Sequence, residues 1–152
     1  MAIFDRQNMF SDAQSVIGTA ATPSTDTLDL SPLYSGPGGS NVARDLGVGE
    51  DLYLQVTVTG VAGTSPTATV QIETADDSGF SSNLGTVATY GPVALPAAGG
   101  QVLIAPVPFG DYRKFLRLKY TLGGTSPAGT FKAALVKGVT AVKIYSDAVV
   151  IG

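Results

Sequence analysis

Apolar and polar residues alternate with a period of two along most of this chain. In DLYLQVTVTG, Leu52, Leu54, Val56 and Val58 share one row, and Tyr53, Gln55, Thr57 and Thr59 share the other. In TATVQIET, Ala68, Val70 and Ile72 alternate with Thr69, Gln71 and Glu73. In GTFKAALV, Phe131, Ala133 and Leu135 alternate with Lys132, Ala134 and Val136. Successive strand side chains point to opposite faces, so this pattern marks half-buried antiparallel strands. No segment carries a convincing helical period. Residues 4–14, FDRQNMFSDAQ, come nearest, but Phe4, Met9 and Phe10 make no continuous stripe. The segment reads as an extended arm over 1–13 with one helical turn, followed by a single domain over 14–152.

Turn chemistry punctuates the strands. GTSP occurs twice, at 63–66 and 124–127, each time between two alternating stretches. Gly supplies unusual backbone angles and Pro cannot donate to a sheet ladder, so both copies read as hairpin loops. Further loops fall at 34–41, 75–83 and 95–101. The strands expected between them are 14–18, 26–30, 51–59, 67–74, 86–91, 101–106, 112–122, 129–137 and 144–151. Eight or nine short strands with turn-rich joints predict an all-β fold: a two-sheet antiparallel β-sandwich, jelly-roll-like in topology.

Composition narrows the chemistry. The 152 residues include no Cys, His or Trp, with 19 Gly, 9 Pro and 14% charged residues. Without Cys and His, a disulfide framework, the usual zinc ligands, a thiol nucleophile and the commonest general base are all missing. The N-terminus, MAIFDRQNMFSD, has acidic residues and no long apolar run, unlike a signal peptide or a membrane span. A cytosolic site of synthesis and assembly is expected.

Charge is distributed unevenly. Residues 1–112 carry two cations against eleven acids, a net of −9; residues 113–152 carry seven cations against one acid, a net of +6. YRKFLRLKY, residues 112–120, holds Arg113, Lys114, Arg117 and Lys119, four of the nine cations. Here Leu116, Leu118 and Tyr120 form the inward row, and Arg113, Phe115, Arg117 and Lys119 the outward one. Arg113, Arg117 and Lys119 are thus confined to the wet face of a core strand, and Lys114 breaks the pattern at the strand mouth, where its stem can snorkel. Their counter-charge is either an acidic strand of the same protein or an acidic patch on a neighbouring subunit. The acidic majority argues against a nucleic-acid partner.

Other stretches carry weaker chemistry. ADDSGF clusters Asp76 and Asp77, but it lacks the alternating acids and distal Glu of a calcium loop and reads as a turn. YSGPGGSN lacks the Lys-Ser/Thr ending of a phosphate loop. Paired carboxylates serve glycoside hydrolysis, yet none here lies on a strand beside a rank of aromatics. No catalytic residue, metal ligand or cofactor site is expected, and the chain does not read as an enzyme.

Four stretches together carry a resemblance: MAIFDRQNMFSDAQ, RDLGVGEDLYLQVTVT, ADDSGFSS and FLRLKYTLGGTSPAGTFKAALV. In this order they resemble tailed-phage capsid cement (decoration) proteins of the type described for a short-tailed Bordetella phage. The resemblance spans nearly the whole chain and includes Phe4, Arg6, Arg117 and Tyr120. It implies a small jelly-roll virion protein on the outer surface of an icosahedral head, made in the host cytoplasm. Its expected partners are the major capsid protein and further copies of itself, a dimer being favoured over a trimer, with no nucleic acid and no membrane. Phe4, Arg6, Met9 and Phe10 of the arm, with Arg113, Phe115, Arg117 and Lys119 of the basic row, are the expected capsid or subunit contacts. The residues alone leave two alternatives open, a carbohydrate-binding jelly roll on the virion and a tail or adaptor component.

Overall fold

The computed structural model describes residues 6–30, 51–108 and 112–137. A single turn of 3-10 helix, Arg6–Asn8, leads into seven strands: β1 (Met9–Ile17), β2 (Thr22–Pro23), β3 (Leu28–Asp29), β4 (Leu52–Ala75), β5 (Gly85–Ala94), β6 (Gly100–Pro106) and β7 (Phe115–Lys137). All pairings are antiparallel. The central path runs β1-β7-β4-β5, with β2 and β3 also on β7 and β6 also on β4. The all-β expectation holds. The expected strand over 144–151 and the loop over 34–41 lie outside the described residues.

Two strands are far longer than expected. β4 has 24 residues and β7 has 23, and each runs straight through its GTSP. The two copies are therefore not hairpin loops. They lie side by side, with Thr64 paired to Thr125 and register shifts on either side. Gly63 and Gly124 have φ of +106° and +105°, and Ser65 and Ser126 both have +49°. These left-handed positions kink both strands at the same level. Each glycine is also required sterically. A Cβ on Gly63 would lie 2.8 Å from the carbonyl oxygens of Thr125 and Ser126, and one on Gly124 would lie 2.7 Å from that of Thr64.

The kink folds the sheet onto itself. Tyr120 and Phe131 are eleven residues apart on β7, about 36 Å along an extended strand. Their rings nevertheless stack with centroids 5.0 Å apart. One layer holds β1, residues 128–137 of β7, residues 52–59 of β4, and β6. The other holds β2, β3, residues 115–123 of β7, residues 67–75 of β4, and β5. The core between them is built from the predicted inward rows: Leu54, Val56 and Val58; Val70 and Ile72; Leu116, Leu118 and Tyr120; Phe131 and Ala133. So the expected pair of sheets is one continuous sheet. Where a jelly roll would use four separate strands, two bent strands serve both layers.

The N-terminal segment corrects the boundary of the arm. Met9–Ile17 is a strand, pairing Met9 with Ala134 and Ile17 with Ala128. Phe10 is fully buried, Met9 is buried, and Ser11 shares a buried 2.8 Å hydrogen bond with the Tyr120 hydroxyl. An aromatic side chain costs too much to leave in water when a core position is in reach. Residues 9–13 therefore belong to the domain, and residues 1–5 lie outside the described residues.

Candidate functional site

The basic row sits where the alternation places it, on the outer face of β7, and β4 supplies its counter-charge. Glu73 pairs in register with Arg117. Arg117 donates from Nε and Nη2 to Glu73 Oε2, both at 2.8 Å, and Lys119 Nζ donates to Oε1 at 3.0 Å. Glu73 is only 2% exposed, whereas the Arg117 side chain keeps 20%. Burial pushes the Glu73 carboxyl upward. The hydrogen bonds and positive charges of Lys119 and Arg117 outweigh it and hold the group below its ordinary 4.5. A buried carboxylate survives ionised only with such partners.

A loop covers the pair. After β4 the chain turns through ADDSGFSSN, and Phe80 lies over the Arg117 guanidinium, 4.2 Å from ring centroid to Cζ. Phe80 itself is buried. Asp77 organises the turn by accepting from the Ser81 and Ser82 N–H groups and from the Ser81 hydroxyl. Those bonds, the Ser82 N–H first, hold its carboxyl below the ordinary range. Asp76 accepts from Asn83 Nδ2 at 2.6 Å and from Arg113 Nη1 at 3.0 Å, which lowers its carboxyl likewise. The Asp-Asp stretch is thus a turn whose oxygens bond within the chain, as its composition predicts. Among the described residues no three acidic side chains gather as a cation site would need.

The opposing charges of the two parts of the sequence are thereby brought together. β7 carries four of the nine cations and lies between β1 and β4, which carry acids. Besides Glu73 and Asp76, Asp12 of β1 meets Lys132 of β7 at 3.5 Å. Of the two origins open for the counter-charge of the basic row, the structure shows one: the same chain, for Arg113, Arg117 and Lys119.

The other expected contact residues divide in two. Phe115 is half-buried beneath Lys114, whose Nζ lies 5.2 Å from the ring centroid. Met9 and Phe10 are taken up by the protein's own core, so they present no surface to a partner. Arg6 opens the 3-10 turn, and Phe4 lies outside the described residues. Reasoning from sequence did not anticipate that Phe80 would cap Arg117. The role of Glu73 had a visible signal, since it is the only charge on an otherwise neutral polar row of β4.

The strongest polar cluster among the described residues is thus spent on the protein's own cohesion. The Bbp16 family profile matches residues 10–135, and the chain belongs to that family. The family name points to a Bordetella phage protein, which associates the chain with bacteriophages. No curated protein matches the chain. No helix among the described residues is long and apolar enough to cross a membrane.

Proposed function

We propose that the protein is a structural virion component, a cement or decoration protein. In this reading it binds the outside of an icosahedral phage head and braces neighbouring subunits of the major capsid protein. It acts by contact rather than by reaction, as a homo-oligomer. Membership of the Bbp16 family over residues 10–135 carries the proposal. The fold supports it: a folded sheet with interlocked corners holds its surface rigid, so little order is lost on docking. The mutual neutralisation of Glu73, Arg117 and Lys119 supports a cohesive rather than a catalytic role for the basic row.

The test uses phage heads assembled with and without the protein. Stoichiometric incorporation is expected, with heads lacking it rupturing at lower temperature and under milder osmotic shock. Heads of equal robustness would refute bracing. Density for the protein at the tail instead of on the shell would assign it to the tail or adaptor.

A further inference from the structure

The kinked sheet has an internal two-fold that the sequence barely displays. Among the described residues, 6–75 hold β1, the two short strands β2 and β3 and the long kinked β4, and 85–137 hold β5, β6 and the long kinked β7. β1 pairs with the later part of β7, as β5 pairs with the later part of β4. β2 and β3 pair with the early part of β7, as β6 pairs with the early part of β4. Hydrogen bonds outside the ladders match as well. Gly18 N–H donates to the Pro127 carbonyl at 2.8 Å, and Leu95 N–H to the Pro66 carbonyl at 2.9 Å. Leu30 N–H donates to Lys114, and Val107 N–H to Leu52. Each long strand pairs with the outer strands of the opposite repeat. The axis relating the repeats passes between the paired Thr64 and Thr125 and leaves the molecule at the corner where both strands kink.

That corner, the tip of the folded sheet, is exposed: residues 62–65 on one side and 124–126 on the other. Ile17, 74% exposed, and the exposed Ala94 flank it at equivalent positions. Among the described residues the tip carries no charge. Along β1, β4 and β7 the nearest charged residues are Asp12, Glu73, Lys119 and Lys132, each at least four residues back from it; β5 and β6 contain none. Four strand residues span about 13 Å. A surface without cations cannot neutralise phosphates. Small hydroxyls, exposed backbone and a few apolar side chains suit a protein surface.

From these observations we propose that the tip is a two-sided docking surface, binding two copies of one protein element that are themselves related by a two-fold axis. Two equivalent faces on one chain match two equivalent faces on a symmetric partner. This rests on the cement reading, in which the partner is a pair of capsid subunits. One copy of the protein then bridges two subunits through the corners at Ser65 and Ser126.

The experiment measures binding of the full chain to purified heads lacking it. The variants are Ser65→Arg, Ser126→Arg and the double, with Ile17→Lys, Ala94→Lys and their double as a second set outside the kink. Circular dichroism checks that each variant is folded. An unpaired charge forced into a contact weakens each single variant by about tenfold and each double by about a hundredfold. Wild-type binding stays nearly flat as salt rises from about 0.05 to about 0.5 M, because no charge pairs lie in the contact. A loss confined to one side of the axis, in both sets, overturns the two-sided contact. Unchanged binding in every folded variant overturns the tip as the docking surface while leaving the cement reading intact. So does a steep salt dependence of wild-type binding. Wild-type protein that fails to bind heads at all overturns both.

Discussion

Replacing Arg117 by Met tests whether the basic row holds the fold together. The substitution keeps an apolar stem under Phe80 and removes two hydrogen bonds and a charge from Glu73. Glu73 is 2% exposed and cannot turn to water, so it keeps only Lys119. Breaking a buried pair by deleting one partner costs about 3–5 kcal/mol. With Lys119 retained, and Arg117 itself a fifth exposed, the lower end applies, about 3 kcal/mol, including the lost cation–ring contact. For a chain of this length that lowers the melting temperature by roughly 6–12 °C. Urea and thermal unfolding by circular dichroism measure it. A second variant, Glu73→Gln, and the double variant close a cycle, and the double should recover at least about 1 kcal/mol of the loss because no buried charge is left stranded. An Arg117→Met protein within about 0.5 kcal/mol of wild type, like an ordinary surface change, would refute the argument and reopen a neighbouring subunit as the partner of Arg117.

Five further outcomes are expected. Because the folded Glu73 carboxyl lies below its ordinary 4.5, its contribution is fully present above that pH and is lost as pH falls through the folded value; the Glu73→Gln protein should therefore show a shallower loss of stability below about pH 4.5 than wild type, and parallel acid limbs would contradict this. Gly124→Ala should cost at least about 1–3 kcal/mol from its left-handed φ alone, with the overlap against Thr64 adding to it; a urea midpoint equal to wild type would count against the interlocked corner. Phe10→Ala should cost about 3–5 kcal/mol as a core truncation, and deletion of residues 1–12 should unfold the domain, where a detachable arm would leave its melting temperature unchanged. Tyr120→Phe should cost only about 0.5–1.5 kcal/mol, since Ser11 can still donate to Gln14; a loss above about 3 kcal/mol would mean that the hydroxyl has a larger part in the core.

Period-two alternation made the core legible before any coordinates. Leu54, Val56, Val70, Leu116, Leu118 and Phe131 all fall where it places them, because side-chain direction in a strand follows from local geometry alone. The path of the chain was not legible in the same way. A GTSP between two strands satisfies the requirements of a hairpin as well as those of a kink. The choice is made by the other GTSP, sixty-one residues away, whose backbone fills the space above Gly63. The strand at Met9 and Phe10 is hidden from the sequence for a related reason. Met9 and Phe10 lack a strand-like pattern among their own neighbours, and their burial depends on pairing with residues near 134. At the charged cluster, the outward row was evident from spacing, but Phe80 reaches Arg117 by a turn that no periodicity encodes.

Because each repeat lends its outer strands to the other's long strand, the order of synthesis matters. β1 leaves the ribosome before its ladder partner, residues 128–134, which is made more than a hundred residues later. The described strands up to residue 75 complete no layer by themselves, so apolar side chains such as Phe10 and Val16 wait for their cover until residues 128–134 have been made. Such long-range closure is slow and invites pairing with the wrong chain. In a crowded cell making many copies at once, the nascent chains are at risk of exchanging strands with one another before each completes itself.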